Sequence, residues 1–71
     1  MKVETDNFTV EIFDDRPERG YFEHNLLGDE CCGGLWFEGK NLIDYDGVFS
    51  LPTDVIRAVR KLGFHVDKEF E

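Results

Sequence analysis

The sequence predicts an α+β fold: a small antiparallel sheet of three to four strands with one C-terminal helix packed on one face. Alternating apolar and polar residues fill the first two thirds of the chain. Glycine- and proline-containing breaks separate these alternations, and a single stripe of helical period follows at residues 52 to 62. With 71 residues the chain is one domain, residues 1–71, because a fold of this size buries only about 60% of its unfolded surface and cannot supply a second core.

The first strand is read from "KVETDNFTVEIFDD", where Val3 precedes Thr5 and then Phe8, Val10 and Ile12 alternate with Thr9, Glu11 and Phe13. Phe13 interrupts the polar side, which predicts that this end is covered on both faces. "DDRPERG" follows with turn composition, and Pro17 has no N–H to give to a ladder. "YFEHNLL" reads as the second strand, with Phe22, His24 and Leu26 on one side and Tyr21, Glu23 and Asn25 on the other. Residues 8 to 14 would then pair with 21 to 27 as a hairpin.

"GDECCGG" reads as a bend or bulged loop, because Gly28, Gly33 and Gly34 permit positive φ or a close backbone approach. The clearest hairpin is "LWFEGKNLIDY". Leu35 to Glu38 and Asn41 to Tyr45 flank Gly39-Lys40, and glycine at the first central position suits a type II′ turn. Trp36 is expected opposite Ile43 or close to it. Asp46-Gly47 turns the chain toward Pro52, which is placed in the first helical turn with Asp54 near the positive helix end. Val55, Ile56, Val59 and Leu62 form one apolar stripe with Ala58 at its edge, while Arg57, Arg60 and Lys61 point away. Gly63 is the expected residue after the C-cap, with Phe64 folding back on Val59. "FHVDKEFE" either adds a short edge strand or tucks Phe64 and Val66 under the sheet, and its last residues should fray.

Composition narrows the function. Sixteen acidic against eight basic residues give a formal charge of −8, which repels nucleic acid and anionic lipid and suits proteins with basic faces. Residues 1 to 54 hold thirteen acids and four bases, a net of −9; residues 55 to 71 hold three acids and four bases, a net of +1. No stretch approaches the roughly 18 apolar residues that span a bilayer, and the opening "MKVETDNF" has no signal-peptide core. The two cysteines, adjacent at Cys31 and Cys32, cannot close a useful loop and read as reduced thiols of a cytoplasmic protein.

No motif announces catalysis. Zinc sites separate paired cysteines by two to four residues so that both sulfurs can reach one ion, and "ECC" with His24 and His65 lacks that spacing. A redox pair is disfavoured by the acids at Asp29 and Glu30, which oppose a thiolate. "DYDG" resembles the start of a calcium loop, but Gly47 arrives before a third oxygen ligand and Val55 stands where the closing glutamate would be. Ser50 and the cysteines have no base and orienting acid in a local motif, and His24 on the apolar side of its strand reads as structural. "GG" opens a strand behind two acids, the wrong field for a phosphate. Neither a cofactor nor a metal is expected.

What rises above background is aromatic density, seven Phe, two Tyr and one Trp, together with the acidic surface. A sheet covered by a helix on one face leaves the other face free for a partner. The sequence therefore predicts a small, acidic, non-catalytic protein-interaction or regulatory module of the cytoplasm. Its partner residues are drawn from Asp14, Asp15, Asp29, Glu30, Trp36, Asp44, Tyr45 and Asp46. Self-association of an uncovered face or edge as a homodimer is one form of this. The alternative is an acidic decoy that occupies the nucleic-acid groove of another protein, motivated by "ETD", "EIFDD", "GDE" and "DYD".

Overall fold

The computed structural model describes all residues from Met1 to Glu71. The first alternation is divided by a turn at residues 5 to 7, so that it makes two strands, β1 (Lys2–Glu4) and β2 (Phe8–Ile12). Thr5 makes the turn: its Oγ1 accepts from the N–H of Phe8 at 2.9 Å and from that of Asn7 at 3.3 Å. Strands β3 (Arg19–His24), β4 (Gly28–Glu38) and β5 (Asn41–Tyr45) follow in spatial order, giving an antiparallel meander of five strands where three to four were expected. The chain then crosses one face of the sheet as helix α1 (Thr53–Lys61) and ends in a 3₁₀ turn, Lys68–Phe70.

Two further sequence expectations are corrected. Strand β3 stops at His24 and does not include Leu26, because His24 turns back on the backbone and its Nδ1 accepts from the N–H groups of Leu26 and Leu27 at 3.1 and 3.3 Å. Leu26 is thereby 90% exposed instead of sharing the apolar side. "GDECCGG" lies within β4 rather than in a loop. Glu23 pairs with Cys32 and His24 with Gly28, so Asp29, Glu30 and Cys31 stand outside the ladder as a wide bulge. A second bulge releases Ile43, so Trp36 faces Asp44 and lies close to Ile43, as expected, without standing opposite it.

The hairpin at Gly39-Lys40 matches its reading: Glu38 pairs with Asn41, and only Gly39 has positive φ, +61°, as a type II′ turn requires. Pro52 caps α1 from just outside, its carbonyl accepting from Ile56 at 3.0 Å. At the other end Gly63, with φ +96°, donates to Arg60 and Phe64 donates to Val59, the two bonds of a Schellman ending.

One core lies between sheet and helix. Phe8, Val10, Ile12, Phe22, Leu35, Phe37 and Leu42 from the strands meet Val55, Ile56, Ala58 and Val59 from α1, with Leu51, Phe64 and Val66 closing the sides. The tail is docked and not frayed. His65 bridges to Asn41 along the outer edge of β5, Arg60 donates to the Val66 carbonyl at 2.8 Å, and the Phe70 ring meets Tyr45 edge-on at 5.9 Å.

Candidate functional site

Because α1 covers only one face, the alternate residues of every strand are left on the other. The register sets them in rows. Lys2, Glu11, Tyr21 and Gly34 form one row across β1 to β4. Glu4, Thr9, Glu23 and Cys32 form a second. Toward the opposite end, Arg19 stands between Phe13, whose N–H bonds the Arg19 carbonyl at 3.1 Å, and Trp36, which in turn faces Asp44.

The centre of this face is built around a missing side chain. A Cβ on Gly34 would lie 3.0 to 3.2 Å from the Trp36 ring, so the indole reclines over the glycine in the space a side chain would fill. The Arg19 guanidinium sits 5.0 Å from the indole centroid, a cation–π contact that fixes the ring from above. Tyr21 flanks the same glycine. Its hydroxyl lies beside Cys32, and the hydrogen bond with that sulfur, partial burial, and the negative charges of Cys32 when ionised, Glu23 and Asp29 push its pKa up to about 12. Phe13, Tyr21 and Trp36 thus present three half-buried aromatic groups among Glu4, Glu11, Glu23 and Asp44.

The residues singled out from sequence separate into three groups. Trp36 and Asp44 are neighbours on this face. Asp14 and Asp15 sit beyond β2 at one end of the sheet, where Asp14 pairs with the Met1 amine at 2.8 Å; Asp29 and Glu30 occupy the bulge at the other end. Tyr45 and Asp46 have structural places. The Tyr45 ring packs against the core and its hydroxyl donates to the Phe49 carbonyl at 3.2 Å, while the Asp46 carboxylate accepts from the Gly34 N–H at 2.6 Å. Sequence reasoning missed Phe13, Arg19, Tyr21 and Gly34 as site residues. The signal was present as glycine and tryptophan two apart on one strand, which puts them on the same face.

The adjacent cysteines are parted by strand geometry. Cys31 packs against the core, whereas Cys32 lies on the open face with its thiol 3.5 Å from the Asp29 carbonyl. No three His, Cys, Asp or Glu side chains converge as metal ligands would. A cleft of about 320 Å³ opens on the opposite face, between β1 and α1, with Val3 and Ala58 at its base and Asp6, Asp54, Arg57 and Lys61 around it. No helix is long and apolar enough to cross a membrane. Comparison with family models, with curated proteins and with solved structures finds no match for this chain.

Proposed function

We propose that the chain is a small cytoplasmic protein-interaction module without catalytic activity, and that the uncovered sheet face receives a basic segment of a partner protein. The observation that carries this is the reclined Trp36, held between Gly34 and Arg19 and bordered by Tyr21, Phe13 and a rim of carboxylates. A fixed aromatic group costs little entropy to bury, and aromatic residues are favoured anchors at the centres of interfaces. The acids around it attract cationic side chains and speed encounter. The thiols and histidines are not gathered for chemistry: Cys31 and Cys32 face different surroundings, and His24 is engaged by the turn it caps.

The distribution of acids favours docking over nucleic-acid mimicry. A decoy needs carboxylates repeating at about the spacing of duplex phosphates, yet the rows on the open face interrupt acids with Tyr21, Thr9 and Arg19. Asp14 and Asp15 lie at the opposite end of the sheet from Asp29 and Glu30, and Asp46 is bonded to Gly34 between them.

Trp36 is the only tryptophan and therefore an intrinsic reporter. Titration with a short arginine- and lysine-rich peptide should change its fluorescence saturably, with affinity falling as salt is added, and Tyr21→Ala or Glu11→Gln should weaken the response. An unsaturable response, or one equal for a neutral peptide of the same length, overturns this reading.

A further inference from the structure

The sheet has two edges, and the protein treats them differently. Along β5 the tail supplies a partner: the Leu42 N–H donates to the His65 carbonyl at 2.9 Å, and the His65 N–H to the Lys40 carbonyl at 2.6 Å. Along β1 nothing is laid down. Its inward bonds are made by odd-numbered residues, since Met1 bonds Ile12 and Thr5 bonds Phe8, with Val3 opposite Val10 between them. Strand alternation then turns the N–H and C=O groups of Lys2 and Glu4 outward, where they meet only solvent. Both residues are exposed, while Val3 between them is half-buried.

We infer that this edge joins a second copy of the chain, antiparallel, about a two-fold axis through Val3. In that register Lys2 lies opposite Glu4 of the second copy and Glu4 opposite its Lys2, and each pair exchanges both of its backbone hydrogen bonds. Both charge contacts are attractive, because the two-fold repeats the Lys2–Glu4 pair on each side of the axis. Moving the two-fold axis by one residue, a slip of two residues between the strands, loses this: it brings Lys2 against Lys2 or Glu4 against Glu4.

The cleft beside β1 is self-complementary under the same operation. Its acidic end is at Asp6 and Asp54, which share the end of the sheet where Asn7 Nδ2 donates to Asp54 at 3.0 Å. Lys61, two helical turns further along α1, marks its basic end, with Arg57 between. Arg57 and Lys61 form no ion pair within the chain; only Met1 with Asp14 and Arg60 with Glu71 do. A two-fold at Val3 runs the two helices antiparallel on one face of a continuous sheet, bringing the acidic end of each cleft toward the basic end of the other. Val3, at the cleft base, is buried against its twin. The seam is short, so the dimer belongs among interfaces smaller than about 1,200 Å² and forms with rising concentration. It leaves the aromatic face free and does not depend on the docking role proposed for it.

The test is sedimentation velocity across a wide concentration range, with amide NMR spectra confirming each variant's fold. The wild type should pass from monomer to dimer. Glu4→Lys, whose neighbour within the chain is Thr9, places like charges opposite each other at both contacts and should weaken dimerisation about tenfold or more. Lys2→Glu should do the same alone, and an equimolar mixture of the two variants should recover the dimer, because each then supplies what the other lacks. Should Lys2→Glu fail to fold beside Glu11, Glu4→Pro is the second variant: it deletes an outward N–H while leaving every inward bond in place, and it should abolish the dimer. A wild type monomeric at its highest soluble concentration overturns the inference. So does a dimer indifferent to Glu4→Lys, or one lost through Trp36→Ala, which would place the contact on the aromatic face.

Discussion

Gly33 and Gly34 are adjacent and chemically identical, yet the surrounding structure makes different demands on them. A Cβ on Gly33 would stand 1.9 Å from the Asp46 carbonyl oxygen and 2.9 Å from the Phe22 ring, against backbone and core that cannot withdraw. A Cβ on Gly34 presses on the Trp36 indole, which can tilt, and meets the Asp46 carboxylate only at 3.4 Å, an ordinary van der Waals contact. Gly33→Ala is therefore expected to cost about 1–3 kcal/mol or more through overpacking, read as a lower urea midpoint. Gly34→Ala should cost less than about 1 kcal/mol but shift the Trp36 emission and near-ultraviolet dichroism. Equal destabilisation by both would remove the distinction drawn between a backbone crossing and a ring bed. Tyr21 supplies the second test at this scale. Its pKa is raised from 10 to about 12 in the fold, so the neutral phenol is favoured over the ionised one relative to the unfolded chain. The stability this contributes is fully present below pH 10 and lost as the pH rises from there through about 12. Absorbance titration of tyrosinate should show the late transition, and Cys32→Ala should bring it back toward 10.

The elements were legible where one local rule acts alone. Gly39-Lys40 between alternating strands and Gly63 after the helical stripe each require a positive φ that glycine supplies, and both features stand where the sequence places them. The departures arise where a side chain or a distant segment intervenes. Thr5 and His24 end strands by accepting backbone N–H groups, so a polar residue that looks like part of an alternation becomes its boundary. The Gly33-Gly34 pair resembles a bend, yet it marks where the chain at residues 46 and 47 passes close to β4, a contact between segments that period counting cannot see. Of the site, Trp36 and Asp44 were legible, but their joining depends on the bulge at Ile43. The tail offers the element-scale prediction. Arg60 ties it down through the Val66 carbonyl and Glu71, and the tail in turn protects the Leu42 amide through His65. Arg60→Ala should therefore accelerate hydrogen exchange at Leu42 while leaving the amides of β2 and β3 unchanged. Unaltered exchange at Leu42 would mean that Phe64 and Val66 hold the tail by burial alone.

At the scale of the whole molecule the governing quantity is a charge of −8 within dimensions of 30 × 27 × 18 Å. At about 0.1 M salt the screening length is about 10 Å, so every carboxylate feels several others across the protein. Only two ion pairs offset this, and in both the side chains are 40% exposed or more, which leaves them weak. Repulsion therefore dominates, and it works against the compact state. Added sodium chloride should raise the urea midpoint of the monomer up to about 1 M, where the screening length is about 3 Å. A fold held by ion pairs would respond in the opposite direction. Salt also strengthens apolar association in any protein, so the diagnostic quantity is a difference between variants. Asp29 and Glu30 are exposed, stand outside the β4 ladder and have no cationic partner. The double substitution Asp29→Asn/Glu30→Gln removes two repelling charges while leaving the core and ladder untouched. It should raise stability at low salt and flatten the salt dependence, with the two proteins converging near 1 M. Parallel salt curves for wild type and variant would show that repulsion at the bulge is negligible. A double variant less stable than the wild type at low salt would show instead that these carboxylates hold the bulge in place.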